Sequence, residues 1–205
     1  MRKLILKMSV SVDGFVAGPN GEIDWIFKST DDAYVDWIVD TLWQAGVHIM
    51  GSRTFRDMAA YWPTSTEKIA APMNEIPKVV FSRKGSVETA HTGQTTRAQA
   101  HKPGTAASAN TGGWRDIPVA SGDLADEIAR LKSQPGKDIL AHGGAGFAQS
   151  LVRLGLVDEY RLVIHPAALG RGLALFSGLS KPLDLKLVSS TAFKAGAVAQ
   201  IYRPV

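Results

Sequence analysis

One segment of the chain passes from an apolar run to an amphipathic run with little more than glycines between them. Residues 138–160 read DILAHGGAGFAQSLVRLGLVDEY, which predicts a buried strand that ends at Gly143 and Gly144 and a helix that begins at once. The first N–H groups of a helix lack internal partners, and glycines let a phosphate approach them. The segment therefore predicts an α/β unit with an anion-binding turn, although taken alone it is equally typical of a tight turn. It matches neither G-x-G-x-x-G nor G-x-x-x-x-G-K-[ST], which argues against an ordinary Rossmann dehydrogenase or NTPase.

Composition limits the class of protein. With 205 residues, 45% of them hydrophobic, the chain can bury one substantial core, so we expect a single domain over residues 1–205. The absence of cysteine excludes disulfides and thiolate chemistry. The apolar run of MRKLILKMSV is broken by Lys7 and is too short for a signal peptide or a spanning helix. We therefore expect a soluble cytoplasmic protein that does not bind membranes. The basic residues behind the net charge of +4 are scattered along the chain, so we expect it to bind a small anion and not nucleic acid.

The order of predicted elements favours the α/β class. KLILKMSV, VHIMG and KVVFS are typical of buried strands, and TDDAYVDWIVDTLWQAG and SRTFRDMAAYW of helices, with Gly46 ending the first and Ser52 capping the second. GDLADEIARLKSQPG predicts another helix with Asp123 in its first turn. The tail from residue 158 onward alternates as antiparallel strands do. Residues 85–116 lack a periodic apolar face, and we interpret them as a long flexible insertion.

Two more predicted strands end in groups that bind anions. VHIMG leads into a helix start that offers Gly51–Thr54, and KVVFSR ends with the hydroxyl of Ser82 and the guanidinium of Arg83. Each pattern alone also fits a helix cap or a solvated basic residue. Because α/β sheets bind ligands at the carboxyl ends of their strands, the repetition predicts one composite site for a phosphate-bearing ligand.

Together these stretches resemble a known family. SVSVDGFVAGPNGEIDW, VHIMGSRTF, KVVFSR, ILAHGGAGFAQSLVRLGLVDEYRLVIHPAALGRG and the final IYRP are similar to the dihydrofolate reductase superfamily. Within it they look closest to the branch that contains the reductase domain of bacterial riboflavin-biosynthesis proteins. The similarity covers nearly the whole chain except residues 85–116. It implies a three-layer α/β fold whose mixed central sheet is flanked by helices and ends in antiparallel strands, and it implies an NADPH-dependent reductase that forms a homodimer.

The resemblance also implies a cofactor site. It puts the pyrophosphate and adenosine side at Gly51–Thr54, the 2′-phosphate at Ser82 and Arg83, and a cis peptide between Gly143 and Gly144. The implied cofactor residues are Ser9, Val16, Ala17, Gly51, Ser52, Arg53, Thr54, Phe81, Ser82, Arg83, His142, Gly143, Gly144, Ala145, Gly146 and Phe147. Many family members have an arginine where this chain has Ser52, so the basic contact must come from Arg53 or Arg83.

The substrate side of the predicted site has two rims. The resemblance puts Asp13, Asp24 and Trp25 over the nicotinamide as the catalytic group, and His165 with Arg171 on the opposite rim as substrate-binding residues. A turn aspartate, a core tryptophan and a strand-end histidine are the structural alternatives. The acidic residue with which dihydrofolate reductases grip the pterin falls near Val35 here, so the resemblance does not extend to folate reduction.

Hydride transfer requires aligned donor and acceptor carbons and one proton source, and it requires no metal. The five histidines show no metal-ligand spacing. We therefore expect a reductase that delivers hydride to a C=N or C=O carbon of a small heterocyclic substrate, either a phosphoribosylated pyrimidine or an orphan substrate. The alternative is a non-catalytic NADP(H)-binding module, and the sequence does not separate the two.

Overall fold

The structure is a computed structural model that describes residues 1–87 and 112–205. Most of the predicted insertion at 85–116 lies outside these residues. Near its carboxyl end, Gly112–Trp114 form a 3₁₀ turn, and the buried Trp114 indole donates from Nε1 to Oδ1 of Asn74 at 2.7 Å. Trp114 is therefore a core residue and not part of an exposed loop.

A mixed sheet of eight strands forms the centre of the described fold. In chain order, the strands of that sheet and of a smaller two-stranded ribbon are β1 (Leu4–Ser11), β2 (Phe15–Ala17), β3 (Ala45–Gly51), β4 (Lys78–Phe81), β5 (Val119–Ala120), β6 (Asp138–Ala141), β7 (Glu159–His165), β8 (Leu173–Ala174), β9 (Leu185–Ala192) and β10 (Val198–Pro204). The sheet order is β5-β4-β3-β6-β1-β7-β10-β9, and β2 pairs with β8 in a separate two-stranded ribbon. The six strands from β5 to β7 are parallel, whereas β10 runs antiparallel to both β7 and β9. The predicted antiparallel C-terminal strands are confirmed.

Helices follow the strands much as the periodicity predicts. They are α1 (Asp32–Trp43), α2 (Ser52–Tyr61), α3 (Ala70–Glu75), α4 (Leu124–Ser133) and α5 (Ala145–Arg153). Asp123 caps α4 by accepting from the N–H groups of Ala125 and Asp126. Two predicted boundaries are wrong. Gly46 lies inside β3 and does not end α1, and Gly51 is the N-cap of α2, so Ser52 is its first residue and caps nothing.

The alternation of side chains on β1 explains the three layers. Leu4, Leu6 and Met8 point to the face that α4 and α5 cover, whereas Ile5 points to the face covered by α1, α2 and α3. Both faces of the central strands are buried, as parallel sheets require, and this is why the strands read as nearly continuous apolar runs. The predicted three-layer α/β class is confirmed.

Because the six strands from β5 to β7 in the sheet order are parallel, their carboxyl ends lie at one edge of the sheet. The carboxyl ends of β1, β3, β4, β6 and β7 all lie there, and each predicted site residue follows or lies near one of these ends or in the loops next to them. Among the described residues there is no helix that is both long and apolar enough to cross a membrane.

Candidate active site

The Gly143–Gly144 turn sits at the centre of the candidate site. Its peptide bond is cis, as the resemblance implied, and Gly144 is the N-cap of α5. Gly143 has a φ of +91°, and a Cβ there would lie 2.9 Å from Sδ of Met8, so the position excludes any side chain. The Gly143 carbonyl accepts a hydrogen bond from the Gly51 N–H at 3.1 Å. This bond joins the turn after β6 to the turn after β3.

The two turns also pack against each other without space for side chains. A Cβ on Gly144 would lie 3.0 Å from Oγ1 of Thr54, and a Cβ on Gly51 would lie 3.3 Å from Cβ of Phe147. The free N–H groups at the start of α5 therefore lie beside bare backbone and the Thr54 hydroxyl. Such a cradle can accept a pyrophosphate, because the N–H groups and the helix dipole both favour an anion.

A third strand end reaches the same cradle. The ring of Phe81, at the end of β4, packs against the ring of Phe147 with centroids 5.0 Å apart. The Ser82 side chain is buried, and its hydroxyl donates to the Ser86 carbonyl at 2.9 Å, whereas Arg83 is exposed. Arg83 is thus the group of this pair that is free to reach a ligand phosphate.

The predicted nicotinamide end is built on the β2–β8 ribbon. Val16 and Ala17 are buried in β2, and a Cβ on Gly172 would collide with the Ala17 carbonyl. Helix α5 is tied to this ribbon by its Gln149 side chain, whose Nε2 donates to the Ala174 carbonyl at 2.7 Å. One hydrogen bond therefore links the helix of the glycine cradle to the ribbon that carries the other half of the predicted cofactor site.

Asp13 holds two loops together. Its carboxylate accepts from the Ser11 hydroxyl at 2.5 Å, from the Leu169 N–H at 2.9 Å and from the Gly170 N–H at 2.7 Å. The Ser11 bond, followed by that of Gly170, lowers the pKa of Asp13 below its usual value. A carboxylate held ionised in this way is a poor proton donor. A catalytic contact of Asp13 stays a prediction.

The other two predicted catalytic residues lie in one 3₁₀ turn, Asp24–Ser29. Asp24 is exposed at its start, whereas Trp25 is only 6% exposed. The Trp25 indole donates to the Glu22 carbonyl at 3.2 Å, and its ring meets the ring of His165 edge-on with centroids 5.5 Å apart. Trp25 therefore packs as a core tryptophan, and a catalytic contact for either residue stays a prediction.

His165 is fully buried, with 0% exposure. Its Nδ1 lies 2.8 Å from the Ser29 hydroxyl, and burial, assisted by the charge of Lys7, lowers its pKa to about 4. The imidazole is thus neutral and fastens the 3₁₀ turn to the end of β7. Arg171 is exposed on the loop after β7, and its charge contributes weakly to the lowered pKa of Glu22, which is due first to Asn20. Direct contact of His165 and Arg171 with a substrate stays a prediction.

Between α1 and α2 some residues of the sheet are only partly buried. Tyr34 of α1 packs on His165, at the end of β7, and on Phe193, in the turn between β9 and β10, while Phe55 of α2 packs on Trp114. In the strands between them, β1 and β6, the side chains of Leu4–Leu6 and Ile139–Ala141 are buried. Toward their carboxyl ends Lys7, Ser9 and His142 are only half-buried. We call the region of these half-buried residues the α1–α2 cleft; it adjoins the glycine cradle, because His142 directly precedes Gly143.

Three residues of this region were missed by the sequence reasoning. The sequence did offer a signal for Lys7, because it is a charged residue that interrupts an otherwise apolar predicted strand. Asp57 on α2 and Gln149 on α5 look like ordinary polar residues of amphipathic helices. In the described part of the chain no three metal-ligating side chains cluster.

Comparisons with known proteins point to one family. The model of the RibD C-terminal domain matches residues 2–199. The uncharacterized protein YyaP of Bacillus subtilis is 33% identical over 207 residues, which cover 98% of this chain and 94% of that protein.

Solved structures share the fold. A putative riboflavin biosynthesis protein from Shewanella sp. PV-4 superposes with a TM-score of 0.71 at 22% identity, over 100% of this chain and 99% of the other. A diaminohydroxyphosphoribosylaminopyrimidine deaminase/5-amino-6-(5-phosphoribosylamino)uracil reductase from Thermotoga maritima gives 0.64 at 19% identity, over 100% of this chain and 57% of the other. The present chain thus spans little more than half of that bifunctional protein.

Proposed function

Because this chain belongs to the RibD C-terminal domain family, we propose that it is an NADPH-dependent reductase that transfers hydride to a C=N or C=O carbon of a small heterocyclic substrate. The observation that carries the proposal is that the ends of β3, β4 and β6 meet around one cradle formed by glycines. Gly51 donates to the Gly143 carbonyl, and Phe147 packs on Phe81. These contacts leave backbone and the Thr54 hydroxyl beside the first N–H groups of α5, which is the kind of surface that binds a pyrophosphate.

The residues present fit the cofactor. Gly144 and the N–H groups of α5 would hold the pyrophosphate, Thr54 would border it, and the exposed Arg83 would pair with the 2′-phosphate. Ser9 and the β2–β8 ribbon would border the nicotinamide. NADPH supplies the hydride, while the protein aligns the two carbons and keeps water away from them.

The α1–α2 cleft is the proposed substrate site. The half-buried Lys7 on its floor supplies a positive charge, which suits an anionic substrate. The Thermotoga maritima protein is described as a reductase of 5-amino-6-(5-phosphoribosylamino)uracil, so we propose a phosphoribosylated aminopyrimidine as the first substrate to test. We further propose that the enzyme acts in the cytoplasm, as suits a chain without cysteine.

A fluorescence titration with NADPH and NADH tests the cofactor. We expect Arg83→Ala to weaken NADPH binding by about 10- to 150-fold, equivalent to about 1.5–3 kcal/mol, and to leave NADH binding unchanged, because only NADPH carries the 2′-phosphate. Arg130→Ala removes a remote arginine that pairs with Glu127 and serves as the control. Equal losses for both cofactors would reject the assignment to Arg83.

The second candidate function is a non-catalytic NADP(H)-binding module, since Asp13 is bound to backbone and Asp24 is exposed. NADPH oxidation measured with the aminopyrimidine above and a panel of cyclic imines and ketones separates the two. Turnover of any of them supports the reductase. Tight NADPH binding without turnover favours the module.

A further inference from the structure

A half-buried carboxyl group lies on the wall of the α1–α2 cleft. Asp57 follows Thr54 by three residues on α2 and precedes Tyr61 by four, so the three share one side of the helix. Thr54 fixes the direction of that side, because its Oγ1 lies 3.0 Å from the Cβ position of Gly144. Asp57 is therefore carried on the side of α2 that looks toward β6 and the glycine cradle.

Asp57 differs from Asp13 and Asp31 in its lack of a side-chain hydrogen bond within the described residues. Asp13 accepts three hydrogen bonds, and Asp31 accepts from the Tyr34 and Ala195 N–H groups. Asp57 forms no hydrogen bond or ion pair with its side chain within residues 1–87 and 112–205. A carboxyl group that is half-buried without a partner is costly to keep ionised.

The charges around Asp57 are few. Burial raises the pKa of its carboxyl, and the nearby charges of Arg56 and Arg53, both on α2, oppose the rise without reversing it. On the floor of the cleft the titratable groups are Lys7 and His142. Asp13 and Asp31 have lowered pKa values because of their hydrogen bonds. Among these three carboxyl groups Asp57 is the one whose pKa is raised, which favours the protonated form that a proton donor needs.

We propose that Asp57 is the proton donor of the reduction. The inference rests on the proposed reductase function and extends it. As hydride from C4 of NADPH forms a C–H bond at the electrophilic carbon, the π electrons of C=N or C=O move to nitrogen or oxygen. That atom takes the proton of the Asp57 carboxyl. The products are the saturated amine or alcohol, NADP⁺ and the Asp57 carboxylate, which water reprotonates.

The variant that tests this is Asp57→Asn, which keeps the shape and removes the acid. Asp57→Glu keeps the acid, and Asp126→Asn makes the same change on the exposed start of α4 as the control. The assay uses 5-amino-6-(5-phosphoribosylamino)uracil or any panel compound that wild type reduces. We expect kcat to fall about 100-fold in Asp57→Asn with the NADPH Kd within about twofold of wild type. Wild-type kcat should decrease as pH rises through the pKa of the acid, and this limb should be absent in Asp57→Asn and present in Asp57→Glu.

A titration of the carboxyl group needs no substrate. In protein labelled with ¹³C at the aspartate carboxyl groups, the Asp57 signal is the one lost in Asp57→Asn, and we expect its midpoint above the ordinary value of 3.8. A midpoint at or below 3.8, or an Asp57→Asn enzyme that keeps both kcat and the pH limb, would overturn the proposal. If the wild-type protein does not bind NADPH, the proposed function itself is refuted, and so is the role of Asp57. This result is obtained with the wild type alone, before any variant is compared.

Discussion

At position 144 a glycine is required by contact and not by backbone angle. Gly144 has φ −71° and ψ −170°, which any residue adopts, but a Cβ would press on the Thr54 hydroxyl and enter the cradle. Gly143 is the opposite case, since its φ of +91° and the nearby Met8 sulfur exclude a side chain whether or not a ligand binds. A side chain is thus opposed at position 144 by contact with Thr54 and at position 143 by the positive φ of the backbone.

Gly144→Ala should lose NADPH affinity by about tenfold or more, equivalent to about 1.4 kcal/mol, while the protein still folds. Gly143→Ala should instead lower the melting temperature, because the strain is in the fold itself. Titration of NADPH into each folded variant, with thermal unfolding alongside, measures both effects. Wild-type affinity in Gly144→Ala would rule out the cradle as a phosphate site.

Residue roles were predictable where the reason is local. Glycines between a strand and a helix indicate in any chain that another group comes close to the backbone there. In the structure the turn after β3 comes close to Gly143 and Gly144. Ser82 and Asp13 were predicted as ligand-side groups, yet the hydroxyl of Ser82 donates to Ser86 and the carboxylate of Asp13 binds residues 156 and 157 positions away. No local pattern shows which partner a polar side chain will take.

At the scale of elements, α5 and the β2–β8 ribbon form one unit through Gln149. The ribbon is short, two to three residues a strand, and cannot be stable alone. It is held by Asp13, by pairing of Leu175 N–H with the Gly14 carbonyl, and by the Gln149 bond to Ala174. The position of the predicted nicotinamide strand thus depends on the helix that would bind the pyrophosphate.

Gln149→Leu should weaken the coupling between the two halves of the cofactor site. We expect binding of 2′-phospho-ADP-ribose, which lacks nicotinamide, to stay within twofold of wild type, and NADPH to bind about five- to tenfold more weakly, since one hydrogen bond contributes about 1 kcal/mol. Calorimetric titration of both ligands measures the difference. Ser150→Ala, which removes a bond within α5 itself, is the control. Equal effects on both ligands would contradict the coupling.

On the scale of the whole molecule, β9 leaves a long open edge. It has eight residues, forms the end of the sheet, and exposes Leu187 by 50% and Val188 by 47%. Exposed edges of this length are normally blocked. We propose that a second copy pairs with it antiparallel about the strand centre, which forms a two-fold homodimer.

Light scattering at micromolar concentration should give twice the 22.0 kDa chain mass. Replacing both Leu187 and Val188 with lysine should give the monomer mass, because charges oppose pairing at the edge. Leu154→Lys changes a leucine of similar exposure, 53%, at the end of α5 and should leave the dimer intact. A monomeric wild type would remove the proposal.

Two buried histidines make the fold sensitive to acid. Burial, assisted by Lys78, lowers the pKa of His48 to about 3, and burial lowers that of His165 to about 4, from 6.5 in the unfolded chain. The unfolded state therefore binds more protons below pH 6.5, so stability falls as pH decreases from there toward 4. Each histidine contributes a slope on the order of 1.4 kcal/mol per pH unit.

Urea unfolding at pH 7.5, 6.0 and 5.0 should show this loss, and His48→Phe should have a smaller slope, because a ring of similar shape cannot take up a proton. The free energy of unfolding at pH 7.5 serves to correct for any change in packing. An unfolding free energy that is equal at pH 7.5 and 5.0 in wild type contradicts the prediction.

The short elements β2, α3 and β5 were not predicted from the sequence, which by itself determined the alternation of the longer strands and helices, the burial of the central strands and the glycine turn before α5. These depend on side-chain period and backbone freedom, which neighbouring residues set among themselves. Only the tertiary structure decided that Asp13 binds the loop after β7, that His165 lies under Trp25, and that Asp57 has no side-chain hydrogen bond within the part of the chain that the structure describes. Those outcomes depend on which distant segments come into contact, because burial and hydrogen bonds between such segments set the pKa of each side chain and the partners that it binds.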